Sequence, residues 1–208
     1  MIHVSGIDVS DFQPGVDWKQ VHDAGYSFAY TKATEGTDFV AATFESNMAG
    51  MKAAGMLRGA YHFFHFDGTA IAQAQAFLAA YTPEAGDLPP ALDLEAALPP
   101  GGTAAEAVKS IGTWLDYVED VTKRPCVLYM GYYFWRDTLD SPDFSGHPLW
   151  IAEYTDEKDP ASLTLPSPPW KTWTFWQYTD AADVPGAGQV DGDYFNGDLN
   201  ALKGLCLP

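Results

Sequence analysis

The sequence predicts an α/β fold built as one modified (β/α) barrel, with eight strands and a reduced set of helices in its second half. Three observations carry that expectation. Short apolar runs with period-two alternation take turns with longer stretches of helical periodicity, which implies parallel strands joined by right-handed crossovers. Eight such strands in 208 residues favour a closed barrel over an open sheet. Beyond Gly131 the connections become rich in proline, leaving little room for full helices.

The elements follow in order. Gly6 to Ser10 alternates small or polar with apolar residues and reads as the first strand, ending in the turn-rich Asp11-Phe12-Gln13-Pro14-Gly15. A short helix, Trp18 to Ala24, is closed by Gly25. The second strand runs from Tyr26 to Lys32. A helix from about Thr43 to Ala54 presents Phe44, Met48 and Met51 on one face, with the methionines as core filler. Leu57 to Phe66 is the third strand, with Tyr61, Phe63 and His65 on one face, and Thr69 is placed to cap an alanine-rich helix ending near Tyr81. The fourth strand is Leu92 to Glu95. After Pro99-Pro100-Gly101-Gly102, the segment Thr103-Ala104-Ala105-Glu106 fits a capping box, and Val108, Ile111, Leu115 and Val118 form the apolar stripe of the helix it opens. Further strands are expected at Cys126–Met130, Leu149–Glu153, Thr174–Tyr178 and Gln189–Asp193, followed by a short terminal helix, Gly197–Lys203. The whole span 1–208 reads as a single catalytic barrel domain.

Composition narrows the function. Apolar residues make up 47% and aromatics 14%, ample for a buried core, so a disordered chain is excluded. Eleven Lys and Arg face 28 Asp and Glu, a net charge of −17, which lacks the electrostatic footprint of nucleic-acid binding and argues against an anionic membrane surface. No apolar run approaches the roughly 20 residues of a spanning helix, and Met1 to Ser5 lacks the character of a signal peptide. The two cysteines, Cys126 and Cys206, match neither a metal pair nor a redox motif; a disulfide and two separate thiols are both compatible with their spacing. The histidines show no metal-binding pattern, and His62 and His65 read as packing or groove residues. Phosphate-binding glycine loops and a serine nucleophile elbow are missing. No metal or other cofactor is expected, which leaves carboxylate chemistry.

The stretch Leu92-Asp93-Leu94-Glu95 supplies it. On a strand Asp93 and Glu95 project from one face, roughly 6–7 Å apart, while Leu92 and Leu94 pack on the other. Repulsion and partial burial favour the protonated form of one acid beside an ionised partner, the pairing used to cleave glycosidic bonds. Alone, the stretch is also compatible with a solvated strand end. The neighbours decide: Asp8, Asp93, Glu95, Tyr129, Gln177 and Asp191 are all expected at C-terminal strand ends, where such barrels place reacting groups. Glu95 is then the expected general acid. Tyr61, Tyr129 and Trp176 are the expected sugar-stacking platform, because pyranose rings present apolar faces.

The chain resembles the family 25 glycoside hydrolases, lysozymes that cut bacterial peptidoglycan. The likeness covers nearly the full length and rests on Gly6-Ile7-Asp8-Val9-Ser10, Thr31-Lys32-Ala33-Thr34-Glu35-Gly36, Gly59-Ala60-Tyr61-His62-Phe63, Asp93-Leu94-Glu95, Trp150-Ile151-Ala152-Glu153-Tyr154, Trp176-Gln177-Tyr178 and Val190-Asp191-Gly192. It implies cleavage of the β-1,4 bond from N-acetylmuramic acid to N-acetylglucosamine, with Glu95 as proton donor, Asp93 as its partner, Asp8 and Asp191 as acids on neighbouring strands, and Tyr61, Tyr129, Trp176, Gln177, Lys32 and Glu35 on the substrate. Thr31 and Glu153 depart from the common pattern, and Asp193 competes with Asp191 for one assignment. The expected enzyme is a monomer that acts on peptidoglycan strands outside the bacterial membrane, as a phage lysin or a secreted protein. A chitinase-like glycosidase and a non-catalytic glycan-binding barrel are the rival readings.

Overall fold

In a computed structural model, which describes residues 3–155, 159, 160, 163, 165 and 169–208, eight strands close into a barrel. In chain order the strands are β1 (Val4–Val9), β2 (Phe28–Glu35), β3 (Phe39–Val40), β4 (Leu57–Phe63), β5 (Ala91–Asp93), β6 (Val127–Gly131), β7 (Leu149–Ala152), β8 (Phe175–Val184) and β9 (Gly188–Phe195). The ring runs β1-β2-β4-β5-β6-β7-β8-β9 and returns to β1; β3 lies outside it as a short hairpin partner of the end of β2. The helices are α1 (Trp18–Asp23), α2 (Phe44–Ala54), α3 (Ala70–Ala80), α4 (Ala104–Thr122) and α5 (Leu199–Lys203). Between β6 and β7 a single π-helical turn, Phe134–Thr138, stands where a crossover helix would be. Part of the proline-rich connection between β7 and β8 falls outside the described residues.

One feature of the expected barrel needs correction. Strands β1, β2 and β4 to β8 are mutually parallel, but β9 is antiparallel to both neighbours, β8 and β1. Only Pro185, Gly186 and Ala187 separate β8 from β9, and a parallel return needs a crossover of a dozen or more residues. With Gly186 at φ 88° and Gly188 at φ 76°, the chain turns back in a hairpin instead. Asp191 therefore reaches the rim from the middle of a descending strand, not from a C-terminal strand end.

Side-chain parity sorts the rest. Inside the barrel Phe28, Tyr30, Trp150, Phe175 and Phe195 pack ring on ring, with Tyr30 and Trp150 centroids 4.9 Å apart, and Leu202 of α5 closes the floor. Glycine makes room for them: a Cβ on Gly6 would sit 2.3 Å from the Phe28 ring, and one on Gly59 would sit 2.2 Å from the Tyr30 ring. Those two positions are fixed by packing, since a real Cβ at such distances would have to displace a fully buried aromatic. Outward-facing Ile7, Leu92, Leu94, Leu128, Met130 and Trp176 meet the helices, including Met48 and Met51 of α2 and Ile111, Trp114, Leu115 and Val118 of α4. The capping box at Thr103 and Glu106 forms as the sequence suggests. Thr69 sits at the N-cap of α3, but its hydroxyl donates to Asp67 and accepts from Gln73 rather than capping the helix. Cys126 and Cys206 are free thiols.

Candidate active site

Strand β5 is short and ends at Asp93. Its outward neighbours Leu92 and Leu94 are fully buried in the helix layer, so Asp93 must point into the barrel mouth. Leu94 N still donates to Tyr129 O at 2.9 Å, which carries the alternation one step past the strand and leaves Glu95 on the side of Asp93, exposed at the rim. A cleft of about 170 Å³ opens there, and seven of the expected residues line it: Asp8, Tyr61, Asp93, Glu95, Tyr129, Gln177 and Asp191. Trp150 and Tyr154 line it as well.

Gln177 organises one wall. Its Nε2 donates to Asp8 Oδ2 at 2.8 Å, while its Oε1 accepts from Tyr129 Oη at 2.9 Å and Tyr154 Oη at 2.6 Å. The single side-chain amide thereby fixes an acid and two phenols from three strands or loops, using its donor and acceptor at once. Beneath, Trp150 Nε1 donates to Asp193 Oδ1 at 2.8 Å. Asp193, which competes with Asp191 in the sequence, is 1% exposed and sits below the cleft, whereas Asp191 opens into it. Asp93 lines the cleft, and its buried Oδ1 has no hydrogen-bond partner among the described residues.

These acids hold their protons tightly. Burial raises Asp8 well above the usual carboxylate range, with Asp193 and Asp191 adding to it against the Gln177 hydrogen bond. Burial raises Asp93 well above that range, followed by Glu95. Asp193 is likewise raised by burial, opposed by the Trp150 hydrogen bond. Asp191 is pushed up to about 6 by burial, and Glu95 is raised by burial with Lys32 pulling the other way. The sequence expectation that repulsion and burial favour the protonated form of one acid of the pair thus falls most heavily on Asp93, the more buried of the two, which Glu95 raises further.

A stability prediction follows from the sign of these shifts. A carboxyl whose folded-state value is raised contributes stability fully below its unfolded value and loses it as pH climbs through the folded value. Asp11 and Glu35 are shifted the other way, but their contributions are complete above the usual carboxylate range; His62, lowered by burial to about 4, opposes the trend up to pH 6.5, one group against Asp8, Asp93, Asp191 and Asp193. Between pH 5 and 7.5 the raised group dominates, so Tm falls over that window. Asp193→Asn, which keeps an oxygen for Trp150, should raise Tm at pH 7.5 by about 2–4 °C per kcal/mol relieved and flatten the slope. Calorimetry at the two pH values checks it; a Tm that climbs from pH 5 to 7.5 contradicts it.

Lys32 and Glu35 lie beside the cleft rather than on its lining. Lys32 Nζ pairs with Glu35 Oε2 and stands 4.6 Å from the Phe63 ring centroid, while Glu35 Oε1 meets His65 Nε2 at 3.1 Å. From there the ammonium lowers both Asp93 and Glu95. His62 is separate and buried, bonded to Thr34 Oγ1 at 2.7 Å and Gln73 Oε1 at 3.0 Å and stacked on Trp114. Trp176 does not fit the platform role expected of it. It is fully buried in the helix layer, with Nε1 donating to Glu153 O at 2.8 Å. Its neighbours Phe175 and Gln177 face inward, so period-two alternation turns Trp176 out. Among the described residues no cluster of His, Cys, Asp and Glu is arranged to hold a metal ion.

Comparison with known proteins matches this acid-lined barrel to a named group. Residues 7–187 fit the family described as Glycosyl hydrolases family 25. The chain belongs to that family. It is therefore a glycoside hydrolase of the lysozyme type. It is 34% identical to Lysozyme M1 of Streptomyces globisporus over 97% of this chain and 71% of that protein. Among solved structures, it is similar to a bacterial lysozyme from Streptomyces coelicolor, at TM-score 0.84 and 32% identity over 98% of this chain and 96% of that one. It is also similar to a family GH25 lysozyme from Aspergillus fumigatus, at TM-score 0.86 and 30% identity with both chains fully covered. The family 25 barrel thus comprises the eight strands and few helices described above. Among the described residues no helix is long and apolar enough to cross a membrane.

Proposed function

We propose that this family 25 enzyme is a muramidase that hydrolyses the β-1,4 bond from N-acetylmuramic acid to N-acetylglucosamine, with Glu95 as general acid and the substrate's own 2-acetamido group as nucleophile. The observation that carries the reading is the pairing of an exposed, proton-holding Glu95 with Asp93, which lines the cleft and whose buried Oδ1 is unpartnered among the described residues. Glu95 gives its proton to the leaving sugar's oxygen as the acetamido carbonyl oxygen attacks the anomeric carbon and the glycosidic C–O bond breaks. Asp93 accepts the acetamido N–H and offsets the positive charge that develops on the ring formed. Water then attacks the same carbon, and the Glu95 carboxylate takes its proton. Asp93 is poorly placed to be the nucleophile itself, because a side chain two residues from the acid on one strand does not reach the opposite face of the sugar ring; burial favours its protonated form in the free enzyme, and the positive ring formed beside it favours the carboxylate. Asp8, locked by Gln177, and Asp191 shape the charge of the far wall. Tyr61 and Tyr129 offer rings and hydroxyls to the sugar, and span 1–208 acts as one monomeric catalytic domain on the bacterial wall.

Attack from within the substrate retains configuration. Proton NMR of the first product, taken before mutarotation, should show the β-anomer. An α-anomer would instead mean that a water held across the barrel, by Asp191, performs the displacement. Substrate choice is tested by digesting purified peptidoglycan and chitin side by side and reducing the products with borohydride. Reduced muramic acid is expected; reduced glucosamine from chitin would point to a chitinase-like enzyme, and absence of any product to a glycan-binding barrel.

A further inference from the structure

At the end of the barrel opposite the cleft lies a second, larger hollow of about 640 Å³. Its place is fixed by Pro89, Pro125 and Pro148, which lie one or two residues before β5, β6 and β7, and by Thr174 before β8. Arg124 and Lys171 line it together with Leu205, and Lys203, two residues before Leu205 in the chain, acts as Arg124 does on the Cys206 thiol. In a chain of charge −17 these cations are unusual. Lys19, Lys32, Lys52, Arg58, Lys123 and Arg136 each have a carboxylate partner. Arg124, Lys171 and Lys203 have none among the described residues, and of the other described cations only Lys109 on α4 shares that state. Two carboxylates near the hollow are already engaged: Glu119 Oε1 meets His147 Nε2 at 3.1 Å and accepts from Cys126 N at 2.6 Å, and Asp87, which also acts on the Cys206 thiol, is held by Arg58 Nε at 2.7 Å. The walls are stiff, with proline at several positions and Trp170 anchored by its Nε1 to His147 O at 2.9 Å.

We propose that this hollow is an anchoring site for peptidoglycan, taking the carboxylates of the wall's peptide side chains on a strand other than the one being cut. The proposal rests on the reading of peptidoglycan as substrate. Charge complementarity is the argument: over most of its surface the protein repels a polyanionic wall, and here a stiff hollow presents cations that pair with no carboxylate among the described residues. An enzyme embedded in a meshwork meets polymer on both faces, so an attractive patch on the face away from the chemistry holds it without occupying the cleft. Arginine and lysine together with the Ser145 hydroxyl supply donors that suit an anionic oxygen ligand, and the peptide carboxylates are the anions present throughout the wall polymer.

The test separates this site from the catalytic reading. Binding to insoluble walls is measured in the full-length Glu95→Gln protein, so that the walls stay intact, with and without Arg124→Glu, Lys171→Glu and Lys203→Glu. On peptidoglycan stripped of phosphate polymers, the three reversals should weaken binding about tenfold at 50 mM sodium chloride, with the gap closing at 300 mM as charge is screened. The same reversals in the wild-type background should leave hydrolysis of soluble glycan fragments unchanged, and that hydrolysis tests the catalytic reading independently. Glutamine at the three positions serves as a milder variant, expected to show a smaller loss in the same direction. Unchanged binding to stripped walls overturns the proposal. A loss confined to walls that retain phosphate polymers overturns it too, because the ligand would then be phosphate.

Discussion

Replacing Glu95 by glutamine is expected to lower kcat on cell walls by about 100- to 10,000-fold, the range that general acid catalysis supplies. The fold should be indifferent to the change. Glu95 is exposed at the rim and takes part in no hydrogen bond or ion pair among the described residues, so an isosteric amide removes a proton donor and nothing structural. Its loss also relieves Asp93, whose raised value owes its second-largest contribution to Glu95. The buried aspartate should therefore ionise more readily in the variant, which separates the two acids experimentally: circular dichroism and Tm remain those of wild type while the alkaline limb of kcat/KM, set by deprotonation of the acid, disappears from the residual rate. A variant that kept a third of wild-type activity would remove Glu95 from the mechanism.

Much of this site is legible in the sequence because barrel strands obey a strict alternation. Asp93 between two leucines can only face away from the helix layer, and Tyr61 and Gln177 follow from the same rule applied to β4 and β8. That rule also shows where reading by motif goes astray. Trp176 and Gln177 cannot both enter the cleft from one regular strand, and the fully buried indole is the one excluded. Tyr154 escapes notice for a different reason: it follows the end of β7, and its role depends on the Gln177 amide from the next strand, a contact no local pattern encodes. Trp150 hides its function because its ring is core and only its N–H, aimed at Asp193, is polar. The reversal of β9 had a local signal in Pro185-Gly186, too short a link for a crossover. The two-residue strand β3 had none, since a pair this short is set by its partner β2 rather than by propensity.

Stability is governed from the other end. Arg58, near the start of β4, donates from Nε to Asp87 Oδ1 at 2.7 Å, from Nη2 to Glu84 Oε2 at 2.6 Å and from Nη1 to Met48 O at 3.0 Å. Asp87 is 2% exposed, and its second oxygen accepts from Tyr81 Oη and Glu84 N, both at 3.0 Å. Its backbone carbonyl holds Leu207 N at 2.7 Å, tying the chain's last residues to the same knot. Arg58→Met keeps the aliphatic stem and removes the guanidinium, leaving a buried carboxylate without its cation. Breaking a buried pair from one side costs about 3–5 kcal/mol, so Tm should fall by roughly 10 °C, with the urea midpoint shifted and the slope unchanged. Asp87→Asn added to Arg58→Met should recover part of the loss, because the amide needs no counter-charge. Specific activity of the folded protein at 25 °C should stay that of wild type, since Arg58 lies at the base of the barrel and the reacting acids at its mouth. A loss below 1 kcal/mol would mean that water enters and solvates Asp87. A fall in activity without a fall in Tm would mean that the base of the barrel is coupled to the cleft, so that stability and chemistry are not separated along the barrel axis.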